Sequence, residues 1–114
     1  MAVNAAYREY VLEQLGRVAP VSGRAMFGGV GIYSDGLFFA LMDDGAVYLK
    51  VDDTNRAMFV DAGMSQFDPF GDGQQVMKYY ELPADLLESP DLLRPWMEAA
   101  LDVARRARKG KKKK

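Results

Sequence analysis

The amino-acid sequence predicts an α+β domain in which helices form one layer and an antiparallel sheet of about five strands forms the other, in the order α-βββ-α-ββ-α. Apolar residues recur at helical spacing near both ends of the chain, and short strand-like runs lie between them. Asp-Gly pairs separate consecutive runs, as is typical of hairpin turns. With 114 residues, the chain has the length of one domain.

The first half of the chain predicts a helix followed by a three-stranded meander. The helix covers about 5–17 with Asn4 as its N-cap, and one helical face collects the apolar residues Tyr7, Val11, Leu15 and Val18. Strands are predicted over about 24–33, 37–43 and 46–51. Alternation in the third strand directs one set of side chains to the core, namely Val47, Leu49 and Val51.

A cluster of three glycines, Gly28, Gly29 and Gly31, lies inside the first predicted strand. Neither nucleotide-loop motif fits, because Ile32 and Tyr33 continue as a strand and no helix start follows the glycines to hold a phosphate. We therefore interpret the cluster as a bulge or a sharp bend within one strand, where missing side chains permit curvature or close packing.

A short helix is predicted over about 54–62, with Asp52 or Asp53 as its N-cap. A brief strand near 67–70 follows, and a longer strand covers about 75–82. These two strands complete the predicted sheet. Carboxylate pairs at the two ends of the third strand are interpreted as turn and helix-start residues, since each pair has a local structural role.

The final helix is predicted over about 91–108, with an apolar stripe formed by Leu93, Trp96 or Met97, Ala100, Ala104 and Ala107. The folded domain is therefore expected to cover 1–108. The lysine-rich residues 109–114 are of low complexity and repel one another, so they are predicted to form a disordered tail.

Basic residues are concentrated at the C-terminal end of the chain. Eight of the 15 Lys and Arg lie after Ala104, which leaves 7 basic and 16 acidic side chains in residues 1–103, a net charge of −9. Nucleic-acid phosphates would be attracted by the tail and repelled by the acidic body. We therefore expect nucleic-acid binding by the tail to be weak and non-specific. The candidate contact residues are Arg105, Arg106, Arg108, Lys109 and Lys111.

The composition argues against most catalytic chemistry. The chain contains no cysteine and no histidine, which removes thiolate nucleophiles, Ser-His pairs and the commonest zinc ligands. We expect no catalytic residue, no metal and no cofactor. An enzyme or small-ligand site using Lys50 or the carboxylates is the weakest hypothesis, because it needs a pocket with a perturbed titratable group.

No segment of the sequence indicates export or membrane insertion. The first ten residues carry charges and lack an apolar core, so they do not form a signal peptide. No apolar run approaches the roughly 20 residues needed to span a bilayer. A cytoplasmic protein without membrane contact is expected.

Aromatic residues are frequent in the predicted strands and allow two interpretations. Phe38, Phe39, Tyr48, Tyr79 and Tyr80 would serve as a stacking platform for bases in a single-strand-binding protein. Carboxylates surround the same strands, however, so core packing and a protein-binding face are favoured.

The motifs of these strands resemble the TfoX N-terminal domain family. The similar segments are R-A-M-F-G-G-V-G-I-Y from Arg24, D-G-L-F-F-A-L from Asp35 and V-Y-L-K-V-D-D-T-N-R from Val47. Three later segments fit the same pattern in the same order: Phe59 to Gly63, Met77 to Pro83 and Trp96 to Arg106. The resemblance covers about 4–108, nearly the whole chain.

The resemblance implies a two-layer, secretion-chaperone-like fold and a bacterial protein related to a positive regulator of competence genes. That regulator carries a second domain of helix-hairpin type, so this chain is expected to be a stand-alone N-terminal domain. The matched family markers are Arg24, Phe27, Gly28, Gly29, Tyr33, Leu49, Lys50 and Asp52. For Arg24 and Lys50 we expect a fixed salt bridge, with an anion contact as the alternative.

The leading functional hypothesis is a non-enzymatic regulatory module that binds a protein partner through its sheet or the edge of its meander. The alternative is a nucleic-acid-associated protein that uses its basic tail. A homodimer is compatible with the sequence, which identifies neither an interface nor the partner.

Overall fold

A computed structural model describes residues 4–26, 29–43, 45–67 and 78–112, with the backbone alone at 26 and 109–112. Its helices and strands are α1 Ala5–Gly16, β1 Ser22–Met26, β2 Gly29–Ser34, β3 Leu37–Asp43, β4 Ala46–Lys50, α2 Arg56–Asp61, β5 Tyr79–Glu81 and α3 Pro90–Lys112. A 3₁₀ helix, Ala84–Glu88, joins β5 to α3 and was not predicted. The predicted α+β fold class is confirmed.

The five strands form one antiparallel sheet in the spatial order β1-β2-β3-β4-β5. α3 contacts β3 and β4, and Phe59 of α2 lies between Tyr80 of β5 and Trp96 of α3. α1 contacts β1 at Gly23, whose carbonyl accepts from Arg8 Nη2 and which lies beside the Leu12 side chain. The helices therefore share one face of the sheet, which we call the inner face, and the opposite face is called the outer face.

The core lies between the inner face and the helices. Val47, Leu49 and Val51 are buried, as the alternation in the sequence predicts. The helices contribute further buried side chains: Val11, Leu15, Phe59, Leu93, Met97, Ala100 and Ala104. Burial of these apolar groups, at about 25 cal/mol per Å², is the main stabilising contribution.

The prediction of one bent strand over 24–33 is wrong, because this segment contains two strands. β1 and β2 are antiparallel, and their last pair joins Met26 to Gly29. The chain therefore reverses direction from β1 to β2, and Gly29 and Gly31 belong to the second strand of a hairpin instead of to a bend. Gly28 itself lies outside the described residues.

The other two turns of the meander occur at the predicted Asp-Gly pairs. Asp35 and Gly36 have φ angles of 56° and 78°, the combination that a two-residue hairpin turn requires. Gly45 has a φ of 101°. β3 has the predicted bounds, and β4 ends one residue earlier than predicted.

In the described part of the chain, the order is corrected to four strands before α2 and one after it. The extra early strand is β1, as described above. Residues 68–70 of the predicted strand near 67–70 lie outside the described residues, and Gln66, just before it, forms an isolated bridge with Tyr80. The start of the long last strand, residues 75–77, lies outside the described part of the chain, and β5 covers its end.

The predicted N-cap is confirmed for α1 and is wrong for α2. Asn4 is the N-cap of α1 as predicted, since its side chain accepts bonds from the backbone N–H groups of Ala6 and Tyr7. The N-cap of α2 is Asn55 and not Asp52 or Asp53. Asp52 instead closes a turn by accepting from the backbone N–H of Thr54.

α3 continues to Lys112, so residues 109–112 are helical where the sequence predicts a disordered tail. Ala, Arg and Lys have high helix propensity, and extending an existing helix avoids the cost of nucleating a new one. Residues 113 and 114 lie outside the described part. None of the helices that the structure describes is both long enough and apolar enough to cross a membrane.

Candidate functional site

A row of aromatic rings crosses the outer face of the sheet. Tyr33 stacks on Phe38 with 5.0 Å between ring centroids, and Phe38 lies 5.9 Å from Tyr79. These rings come from β2, β3 and β5, which brings together residues 46 positions apart in the chain. Tyr33 and Phe38 are half-buried, whereas Tyr79 is 6% exposed. Tyr33 and Phe38 are already stacked and keep part of their surface exposed, so they lose little conformational freedom on binding and are suited to recognition.

Two cations lie against the same rings. The Arg24 guanidinium is 5.3 Å from the centroid of Tyr33. Lys50 Nζ is 5.8 Å from the centroids of both Phe38 and Tyr79. These distances are within the range of cation–π attraction. We call these five residues the aromatic-cation strip.

A β-bulge in β3 makes this arrangement possible. Ile32 pairs with Ala40 and Tyr33 pairs with Phe38, which leaves Phe39 as an extra residue. In a regular strand, Phe38 and Ala40 would lie on the same face. The bulge lets Phe38 lie on the outer face while Phe39 and Ala40 are both fully buried.

The sheet's outer face has a different character beyond the strip. Tyr48 donates to Asp43 Oδ2 at 3.3 Å, and its ring lies 4.5 Å from that of Phe67. Burial, followed by the charge of Asp43, raises the pKa of Tyr48 to about 12. Tyr48 therefore stays protonated near neutral pH and keeps its hydrogen bond to Asp43.

Three of the predicted family markers meet in the strip: Arg24, Tyr33 and Lys50. The remaining described markers have other positions. Leu49 is fully buried in the core. At Gly29 an added Cβ would lie 2.5 Å from the carbonyl oxygen of Met42, so close approach of the backbones explains this glycine. Phe27 and Gly28 lie outside the described residues.

The expected salt bridge of Arg24 is not found among the residues that the structure describes, where its guanidinium lies over the Tyr33 ring. Sequence spacing misses this contact because the two residues are neighbours only across the β1–β2 ladder. Lys50 lies over aromatic rings as well. The sequence does not show that Lys50 lies beside Tyr79, because the two residues become neighbours only through the pairing of β4 with β5.

Asp52 belongs to a second polar cluster, at the β4–α2 loop. It accepts from Thr54 Oγ1 at 2.6 Å, and Arg106 Nη2 donates to Asp52 Oδ2 at 3.1 Å and to Thr54 Oγ1 at 2.8 Å. Asn55, 2% exposed, fixes the loop from inside by accepting from the Asp52 N–H and donating to the Lys50 carbonyl. The sequence pointed to Asp52 but not to Asn55. Asn55 precedes a helix, where asparagine is common as an exposed cap, so nothing in the sequence indicates that its side chain is buried.

The predicted nucleic-acid contacts are arranged along α3. Arg105 forms an exposed ion pair with Asp102, and Arg106 is paired with Asp52. Arg108 extends toward the β2–β3 turn at Gly36. Two of the three arginines therefore have carboxylate partners within the chain. For Lys109 and Lys111 the structure describes the backbone alone.

The fold and the strip define a class of protein: an α+β domain whose helices cover one face of an antiparallel sheet and whose other face carries aromatic and cationic side chains. The chain belongs to the TfoX N-terminal domain family, whose sequence model matches residues 13–104. The match includes every described residue of the strip. No curated protein sequence matches the chain.

Proposed function

We propose that this domain is a non-enzymatic interaction module that binds a protein partner on its outer face. The observation that carries the proposal is the aromatic-cation strip on the face opposite the helices. Aromatic residues and arginine are the side chains that most often dominate binding energy at protein interfaces.

Charge supports a protein partner over nucleic acid. The strip combines two cations with rings, but it belongs to a body whose residues 1–103 carry a net charge of −9. A polyphosphate chain would meet that negative field over its whole length, whereas a short peptide segment meets it over a few residues. Arg105 and Arg106 form ion pairs with Asp102 and Asp52, and these pairs also reduce the positive charge that α3 offers to phosphates.

The biological role we propose is regulatory and cytoplasmic. The family's resemblance to a regulator of bacterial competence genes suggests that the partner belongs to the machinery that controls transcription. In this view the domain contributes recognition, and the partner contributes any contact with DNA.

The test is an affinity pull-down from lysate of the native bacterium with the full chain, Phe38→Ala and Leu92→Ala, each with and without nuclease. Phe38 is the central ring of the strip, and Leu92 is a 62% exposed apolar residue of α3 that provides the matched control. Thermal unfolding verifies that both variants are folded.

We expect one protein to be retained by the wild type and by Leu92→Ala, to resist nuclease, and to bind Phe38→Ala at least about tenfold more weakly. Equal retention by all three chains would contradict the role of the outer face. Recovery of nucleic acid alone would favour the nucleic-acid alternative.

A further inference from the structure

β1 forms one edge of the sheet, and no described strand lies beyond it. The opposite edge, β5, is covered by the segment that precedes it: Phe67 N–H donates to the Tyr79 carbonyl, and Glu81 N–H donates to the Ser65 carbonyl. An edge strand carries unpaired backbone groups, which are a template for a further strand. Within the described residues, β1 is therefore the edge of the sheet without a neighbouring strand.

The backbone groups that face away from β2 are those of Gly23 and Ala25. In an antiparallel pair, hydrogen-bonded and non-hydrogen-bonded residue pairs alternate along the strand. A two-residue hairpin places a hydrogen-bonded pair next to its turn, here Ser34 with Leu37 beside Asp35 and Gly36. Ser34 therefore bonds to β3, and the alternate residues Tyr33 and Gly31 bond to β1, where they pair with Ser22 and Arg24. Gly23 and Ala25 then point outward. The 3.3 Å contact from Arg8 Nη2 to the Gly23 carbonyl agrees with this assignment.

β1 has few of the features with which sheets normally protect an edge. Its sequence, S-G-R-A-M, contains no proline, and its register with β2 has no bulge. Its one charged residue, Arg24, lies over the Tyr33 ring on the outer face. Ala25 is exposed and small. The Arg8 contact is long for a hydrogen bond, so an incoming strand would replace it at little cost.

Two simple occupants of this edge are a second copy of the chain and a segment of another protein. In the antiparallel register in which Gly23 of one copy bonds to Ala25 of the other, Arg24 would lie directly opposite Arg24 of the second copy. Like charges at opposed positions destabilise a strand pair. An acidic residue at that position would instead form an ion pair with Arg24, which is part of the aromatic-cation strip.

We infer that β1 is the docking edge for an extended segment of a partner protein, which pairs with the backbone of Gly23 and Ala25 and places an Asp or Glu opposite Arg24. Main-chain bonds supply affinity in this mode, and side chains on alternate positions supply specificity. The inference rests on the proposed function, because it specifies how the partner reaches the outer face.

The experiment selects randomised nine-residue peptides, displayed on phage, against the full chain. Selected peptides are then measured against Ala25→Pro, Ala25→Thr, Arg24→Glu and Phe38→Ala. Proline at an outward-facing position of an edge strand removes a free N–H without breaking the ladder to β2. Threonine keeps that N–H and suits a strand, so Ala25→Thr is the matched control. Thermal unfolding of each variant verifies the fold.

We expect enriched peptides to contain Asp or Glu within an alternating apolar pattern. They should bind Ala25→Thr like the wild type and bind Ala25→Pro at least about tenfold more weakly, the loss expected when backbone pairing fails. Arg24→Glu should lose the acidic peptides and gain affinity for peptides in which Lys replaces the acidic residue. Amide nuclear magnetic resonance should report the largest shifts at Gly23 and Ala25.

Equal binding to Ala25→Pro and the wild type would overturn docking at the edge; if Phe38→Ala still abolished that binding, the proposed function would stand. Enrichment of peptides without an acidic residue would overturn the pairing with Arg24. A wild-type dimer that Ala25→Pro dissociates would overturn the choice of a partner over a second copy. Failure to enrich any peptide would also overturn the inference, while the lysate experiment tests the proposed function separately.

Discussion

Arg106 Nη2 lies 3.1 Å from Asp52 Oδ2 and joins α3 to the loop between β4 and α2, across 54 positions of the chain. Arg106 also donates to Thr54, which itself donates to Asp52. The cluster ties the C-terminal part of α3 to the end of β4. A residue first identified as a candidate for nucleic-acid contact therefore has a structural role.

Replacing Arg106 by alanine should lower the free energy of unfolding by about 0.5–1 kcal/mol, the range of partly exposed ion pairs with several hydrogen bonds. The side chains of Arg106 and Asp52 are 50% and 36% exposed, which limits the effect through solvent screening. Urea unfolding measures the change. Arg105→Ala, which removes an isolated pair on one helix, is the control and should cost less. An equal or larger loss in the control would contradict the assigned role.

Stability should depend on Asp52 at acidic pH. Burial tends to raise the pKa of this carboxyl, but hydrogen bonds from Thr54 and from Arg106, with the charge of Arg106, lower it overall. A folded-state pKa below the unfolded value means that the carboxylate stabilises the fold above the unfolded pKa, which is about 3.9, and that this contribution is lost as the pH falls through the folded pKa.

Unfolding free energies of the wild type and Asp52→Asn, measured by urea from neutral to acidic pH, should therefore differ most near neutral pH. The difference should shrink below about pH 4. A difference that stays constant with pH would show that the carboxylate charge is unimportant for this cluster.

Tyr79 should make stability sensitive to alkaline pH. Burial, followed by the neighbouring Tyr33, raises the pKa of Tyr79 to about 12. Because the folded pKa exceeds the unfolded value of about 10, the protonated Tyr79 hydroxyl stabilises the fold. This contribution to the free energy of unfolding is complete below about pH 10 and is lost as the pH rises through the folded pKa. Tyr79→Phe removes the titration, so its stability should decline less than that of the wild type over this interval.

Ultraviolet absorbance of phenolate provides a second measurement for Tyr79. The wild-type titration should contain a late component that Tyr79→Phe reduces, while Tyr48 contributes another late component in both chains. Identical titration curves would contradict the burial of Tyr79 in the strip.

Gly29→Ala should destabilise the domain by on the order of 2 kcal/mol, since its Cβ would lie 2.5 Å from the Met42 carbonyl oxygen and force the β2 and β3 backbones apart. Gly16→Ala is the control, because no atom lies within 4 Å of the added Cβ at the end of α1. That substitution should be neutral or stabilise by about 0.5 kcal/mol. Thermal or urea unfolding compares the two. A tolerated Gly29→Ala would contradict the close approach.

Sequence reasoning succeeded where local patterns determine structure. Asn4, the Asp-Gly turns and the alternation of Val47, Leu49 and Val51 all led to elements that the structure confirms. It failed for the glycine-rich segment, since a bend in one strand and a hairpin between two strands need the same residues. It also failed to find the 3₁₀ helix, because a single short run of i to i+3 hydrogen bonds has no distinctive sequence pattern.

The sequence by itself determined the fold class, the family and the residue types that are available for recognition. The tertiary structure decided which of these residues meet. Arg24, Tyr33, Phe38, Lys50 and Tyr79 form one strip because strand register and the extra residue Phe39 place them on the same face. Register depends on pairing between distant segments, and a shift of one residue reverses every side chain of a strand. Local sequence patterns do not contain that information, so the site emerges only in the folded sheet.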